Sequence, residues 1–240
     1  MEFIEAIVLK SLDYKDSSKI LYLYTKSGLK SVIAHRVKKM NNINRFLSQN
    51  GNLIYITFSN GSFPSLKEGE LLNDYPNIKK DILAYAYVNH IMELTNNTIS
   101  EDSDHLKMFN FLKKLFILFD EEKDPEILCF IFELKLLYFL GYGLNFKQCS
   151  ICNENNNLVF SVDNGGLVCK EHLTMIQQSF DSSIYLLLSK MYYINIDEYI
   201  DIELTKNERI IIRNIIDQLF DQYVSYKTKS RKIIQQLQKY

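Results

Sequence analysis

Cys149 and Cys152, followed by Cys169 and His172, are the residues of this chain whose types and spacing most clearly specify chemistry. The order is Cys-x2-Cys, sixteen intervening residues, then Cys-x2-His, with Gly165-Gly166 as a turn between the pairs. Two close pairs of soft ligands joined by a hairpin-length spacer suit a tetrahedral zinc ion. Protein ligands take all four positions, so none is left for water or substrate. The motif points to a structural Zn2+ and away from a metalloenzyme. Disulfides are the alternative, but the paired spacing and the isolation of Cys129 in an apolar run argue against them.

A second pattern is basic. His35, Arg36, Lys38, Lys39 and Arg45 fall in a stretch with four Lys/Arg and no acid. Over residues 1–78, ten Lys/Arg stand against seven acids, a surplus of three in a chain whose net charge is −1. A mildly basic segment suits contacts to a phosphate backbone, which need cations and little sequence reading. A solvated loop is the alternative. Tyr22, Tyr24, Phe46, Tyr55 and Phe58 are either stacking faces for bases or strand and core residues.

Lys227, Lys229, Arg231 and Lys232 form a third group near the end. They read as a solvated helix end favoured by the helix dipole, or as a further contact for DNA or an acidic partner. His90 and His105 are single histidines in helical patterns and read as core or surface residues. No nucleophile triad with a supporting motif, phosphate loop, HExxH or deaminase pattern is present, so the chain is not expected to be an enzyme.

The elements that hold these residues are legible from period and breaks. FIEAIVLKSL, SKILYLYT, LKSVIAHRV, NLIYITFS and SFPSLKEGELL are dense in β-branched and aromatic residues. Lys26-Ser27-Gly28 and Asn60-Gly61 close apparent hairpins. Five short strands suit a small closed barrel, because closure removes exposed edges; an SH3-like barrel is the nearest competitor.

From about Asn77 the period becomes helical, giving a helix over 79–95, another capped by Ser103 and running to Phe119, and a third opened by Asp124-Pro125-Glu126. The third, ILCFIFELKLLYFL, is apolar nearly all round and ends at Gly141-Tyr142-Gly143. Helices resume near Asp181, and Thr205-x-x-Glu208 is a capping box. The expected fold is α+β: a β-barrel domain over 1–78, then an α-helical domain over 79–240 carrying the zinc loop at about 146–173. No apolar run approaches the roughly 18 residues of a membrane span, and the start lacks a basic-then-apolar leader. A cytoplasmic location, with reduced thiols, is expected.

Taken in order, several segments resemble the bacterial recombination mediator family RecO across the chain: AIVLKSLDYKDSSKILYLYTKSG, LKEGELL with DILAYAYVNHIMELTNN, and KSRKIIQQL near the end. Most specific is FELKLLYFLGYGLNFKQCSIC continuing to FSVDNGGLVCKEH, which joins the apolar helix, its glycine cap and the four ligands. The resemblance implies an N-terminal OB-fold and binding of single- and double-stranded DNA in the nucleoid. It also implies annealing of complementary strands, partnership with RecR and contact with the C-terminal tail of single-strand-binding protein. Together with RecR such a protein loads recombinase onto coated DNA. An adaptor that binds proteins without touching DNA is the rival. The chain departs from the family twice. Ala34-His35-Arg36-Val37-Lys38-Lys39 stands where Ala-Lys-Gly-x-x-Lys is common, and His172 stands where many relatives have a fourth cysteine.

Overall fold

A computed structural model of the chain describes residues 2–40, 42–61, 63–173, 179–180 and 182–238. The five apolar, β-branched runs form β1 (Ile4–Tyr14), β2 (Ser18–Thr25), β3 (Gly28–Ala34), β4 (Leu53–Phe58) and β5 (Leu66–Asn73). Their order in the sheet is β3-β2-β1-β4-β5, with every neighbouring pair antiparallel. A bulge between Val8 and Lys10 bends β1, so that Ile4–Ile7 pair with β4 while Ala6–Tyr14 follow β2.

Ile33 bridges Ser65 in parallel, its N–H donating to the Pro64 carbonyl at 2.8 Å, and this joins the two edges. Closure of β3 onto the start of β5 is the OB-fold arrangement, which decides against the SH3-like alternative. Ala6, Val8, Leu21, Leu23, Val32, Ile54 and Ile56 fill the barrel, and Val37 and Leu47 plug it from the β3–β4 connection. Burying each such Val, Leu or Ile side chain contributes about 1.5–3 kcal/mol. Leu47 belongs to a 3-10 turn, Ile43–Ser48, that lies against β5. A Cβ on Gly69 of β5 would stand 2.9 Å from Leu47 Cδ1 and 2.7 Å from Ile56 Cγ2, so glycine is required there.

The hairpin at Lys26-Ser27-Gly28 forms as expected, with Gly28 at φ +99°. The Asn60-Gly61 connection is longer than a two-residue turn. Pro64 has no N–H for the ladder, so pairing resumes only at Leu66, and the Ser59 N–H reaches the Ser65 carbonyl at 2.9 Å.

The helix expected over 79–95 divides into α1 (Pro76–Lys80) and α2 (Ile82–Thr98). Asp81 separates them, and its carboxylate caps α2 by accepting the Leu83 and Ala84 N–H groups. α3 (His105–Asp120) is capped by Asp104, not Ser103: the Asp104 carboxylate accepts from the Lys107 N–H.

Two compact units result, Met1–Pro125 with Thr228–Tyr240, and Glu126–Lys227. In the first, Glu5 of β1 pairs with Lys26 and with Lys113 of α3, both at 2.7 Å. Burial pushes the Glu5 carboxyl up, but the two lysines more than offset it and hold it below the usual carboxylate range. Tyr24 of β2 bonds His105 Nδ1 at 3.1 Å, while His105 Nε2 meets the Glu101 carbonyl. Since Nε2 must donate to that carbonyl, Nδ1 accepts the Tyr24 hydroxyl proton.

The second unit holds α4 (Pro125–Phe139), from Glu126 onward, then β6 (Leu158–Ser161), β7 (Gly166–Cys169), β8 (Ser179–Phe180), α5 (Ser182–Tyr193) and α6 (Lys206–Tyr223). Asp181, the expected restart of helix, lies outside the described residues. α4 is buried nearly all round, as its apolar sequence requires. It ends in a Schellman motif: the Tyr142 N–H reaches the Leu137 carbonyl, the Gly141 N–H reaches that of Tyr138, and Gly141 sits at φ +88°. Glu133, its one buried charge, pairs with Arg213 of α6 at 2.5 Å, and Arg213 also holds Asp217 at 2.7 Å. The Thr205–Glu208 capping box opens α6 as read from the sequence.

Candidate metal centre and nucleic-acid interface

The four ligand residues converge from two short turns of the second unit. Cys149 and Cys152 lie on a tight turn in which the Asn153 N–H donates to the Cys149 carbonyl at 3.0 Å and the Cys149 N–H to that of Glu154 at 2.8 Å. Asn153 takes the left-handed conformation, φ +63°, that asparagine tolerates better than most residues. Cys169 ends β7, and His172 follows in the 3-10 turn Lys170–His172.

The β6–β7 hairpin brings these turns together. Gly165 (φ +56°) turns the chain, and Gly166 opens β7 against Asn145, whose carbonyl would lie 2.6 Å from any Cβ there. The Leu167 N–H donates to that carbonyl, and the Ser150 N–H donates to the Leu167 carbonyl, both at 2.8 Å. The first pair is thereby locked beside the second.

One ligand atom from each of Cys149, Cys152, Cys169 and His172 lies within 4.8 Å of the others. The Cys152 and Cys169 sulfurs are 3.8 Å apart, and His172 Nδ1 is 3.8 Å from the Cys149 sulfur and 3.1 Å from that of Cys169. Sulfurs about 2.3 Å from a tetrahedral zinc sit about 3.8 Å from each other, so the donor set fits such an ion. Burial pushes the Cys149 thiol up, but the N–H groups of Cys152, Cys169 and Ile151 aimed at its sulfur bring it down to about 6. These donors favour the thiolate, the form that binds metal.

The basic barrel residues lie in the first unit and are exposed. His35, Arg36, Lys38 and Lys39 form the turn that leaves β3, with Val37 as its buried anchor. Arg36 stands at φ +59°, so a non-glycine residue keeps the left-handed backbone that a loop glycine would adopt without strain. The Lys38 N–H donates to the Ser17 carbonyl at 3.0 Å, fixing the loop to the β1–β2 turn. Arg45, from the 3-10 turn, joins Lys38 around a hollow of about 290 Å3. Lys39 and Arg36 are not among the residues lining it.

Two lining residues escaped the sequence reading, Lys19 and Asp13. They face each other across the β1–β2 hairpin, and its register through the Lys15-Asp16-Ser17 turn is the signal that finds them. Among the aromatic candidates, Tyr24 is fully buried and Tyr55 stacks on Phe3 with centroids 5.0 Å apart. Phe46, 59% exposed, sits one residue beyond Arg45.

The C-terminal basic group falls in both units. Lys227 belongs to the second unit and pairs with Asp221 at 3.3 Å. Lys229, Arg231 and Lys232 open α7 (Ser230–Leu237), which packs on α2 and buries Ile234 completely. The reading as a helix end favoured by the dipole is therefore corrected. These cations stand at the start of a docked helix, the end where the dipole disfavours them, and the Glu93 carboxylate meets that end.

Ser230 Oγ donates to Glu93 Oε2 at 2.5 Å, so at its 3.0 Å contact with His90 it can only accept from Nδ1–H. That is the reverse of the order a serine nucleophile needs, and the three residues form a structural bond. Among the described residues no helix is long and apolar enough to cross a membrane.

Comparison with known proteins supplies the family. The family model "Recombination protein O N terminal" matches residues 1–75, and "Recombination protein O C terminal" matches residues 79–232. Proteins named DNA repair protein RecO from Bacillus cytotoxicus, Bacillus cereus and Bacillus anthracis are each 26% identical over 245 residues. Each alignment covers 99% of this chain and 98% of the relative. With an OB-fold barrel ahead of a helical region, and both family halves matched in order, the chain belongs to the recombination protein O family.

Proposed function

We propose that this chain is a non-enzymatic mediator of DNA repair and recombination, working in the cytoplasm at the nucleoid. Family membership over both halves of the chain carries this reading. The exposed cations His35, Arg36, Lys38, Lys39 and Arg45 grip the phosphate backbone of single- and double-stranded DNA. Bringing cations between two strands lowers their mutual repulsion, and annealing can then proceed without an active site. Lys229, Arg231 and Lys232 at the start of α7, and separately Lys227, are further contacts for DNA or an acidic partner. The partners are RecR and the C-terminal tail of single-strand-binding protein, and the outcome is recombinase loaded on coated DNA.

Cys149, Cys152, Cys169 and His172 hold a structural zinc in this reading. Four protein ligands complete its shell, and the metal supplies cross-linking of two turns that share only a small apolar cluster of Cys149, Val168 and Cys169.

The deciding experiment is annealing of complementary oligonucleotides, naked and then coated with single-strand-binding protein, with and without RecR. Acceleration in both settings supports the mediator. Failure of both, together with no retention of labelled single strands on a filter, leaves a protein-binding adaptor. The triple variant Lys38→Ala/Lys39→Ala/Arg45→Ala should weaken binding and flatten its salt dependence by about two log units per log unit of salt for a single strand. Unchanged affinity at low salt removes this loop from the DNA site.

A further inference from the structure

The hollow between β1, β2 and the β3–β4 connection contains one charge of the wrong sign. Lys19, Lys38 and Arg45 line it with Ser48 and Gln49, and so does Asp13. Lys38 Nζ donates to Asp13 Oδ2 at 2.8 Å, and Asp13 lies directly opposite Lys19 in the hairpin. The carboxylate side chain is 66% exposed and that of Lys38 33%, so the pair is wet on one side and contributes little to folding. An anion entering the hollow meets three cations, one already occupied.

We propose that the hollow is a subsite for one backbone phosphate, and that Asp13 is its built-in competitor, holding Lys38 until the phosphate takes its place. This rests on the reading of the barrel as the DNA-binding unit and deepens it. The hydrogen bond from Lys38 keeps the Asp13 carboxyl below the usual range, so the competitor is charged at all pH values near neutrality. A phosphate offers Lys38 an equivalent oxygen and adds Lys19 and Arg45, whereas the ion pair of Asp13 is with Lys38. Being largely exposed, the displaced carboxylate turns into water at small cost. Such competition weakens each contact without abolishing it, which suits a protein that must release strands once they have paired.

The test measures binding of a fluorescent 20-mer of thymidylate to the full chain across a salt series. Asp13→Asn keeps the shape and removes the charge. It should tighten binding about two- to fivefold, the range of an exposed ion pair, and steepen the salt slope by about 0.7, one extra counterion released. In a Lys38→Ala background the same change should give none of that gain beyond the loss of one repulsive charge, so the two effects are not additive. Unchanged or weaker binding by Asp13→Asn, or an equal gain with and without Lys38, overturns the competitor. If the triple variant of Lys38, Lys39 and Arg45 also binds like the wild type, the barrel reading itself has failed. If the triple variant loses binding while Asp13→Asn is neutral, only the competitor has failed.

Discussion

The Glu93 carboxylate accepts both the backbone N–H and the hydroxyl of Ser230, at 2.9 and 2.5 Å, across 137 residues of chain. With the Lys229 N–H at 2.9 Å on the other oxygen, one side chain of α2 satisfies the open start of α7. Helix starts carry unpaired donors and partial positive charge, so a carboxylate is the group that suits them.

Replacing Glu93 by Ala leaves those donors without this acceptor while Ser230 remains 8% exposed. The expected cost is about 1–3 kcal/mol, read as a lower urea midpoint. Limited proteolysis should show new cleavage near residues 225–229, since α7 is the element released. Glu93→Gln should be intermediate, because its amide oxygen accepts but carries no charge.

Metal content is the direct check on the four-ligand turn pair. Purified protein should contain zinc at about one ion per chain, and Cys169→Ser should lose most of it. Strong chelator should lower the melting temperature and expose the 146–173 segment to protease. Acidification should release the metal as the thiolates take up protons. Metal-free protein with an unchanged melt would remove the ion from the fold.

Glu5 sets an acid limit on the first unit. Its folded value lies below its ordinary one, so its contribution is complete above the unfolded carboxylate value near 4.5 and is lost as pH falls through the lowered folded value. Urea midpoints taken from pH 6 down to pH 3 should fall less steeply in Glu5→Gln than in the wild type. At neutral pH the same variant should be the less stable of the two. Because the group is partly exposed, the difference there should be modest, below about 1 kcal/mol.

Arg36 separates backbone cost from charge. At φ +59° a side chain is strained by roughly 1 kcal/mol relative to glycine. Arg36→Gly should therefore fold at least as well as the wild type in a thermal melt, yet bind oligonucleotide more weakly. Arg36→Ala should lose the same binding with no gain in stability. Equal binding by all three would take Arg36 out of the interface.

Much of the fold was readable because its signals are local. Strand runs, the Thr205–Glu208 capping box and the Gly141 cap each depend on residues within one turn or one pleat. The Cys149, Cys152, Cys169 and His172 cluster was readable for the same reason, since each pair spans four residues and the pairs are joined by one hairpin. Where local signals competed, the sequence alone was less exact: Asp81 broke one expected helix into two, and Pro64 lengthened an expected turn.

The amino-acid order by itself determined a five-stranded N-terminal region, a helical remainder, the Cys3His spacing and the family pattern. Tertiary structure alone decided that β3 meets the start of β5, that α7 returns to α2, and that Asp13 and Lys19 share a hollow with Lys38 and Arg45. The physical reason is the same in each case. Closure, capping and charge pairing between residues tens of positions apart leave no period in the chain, because only the packed backbone brings the partners within hydrogen-bond reach.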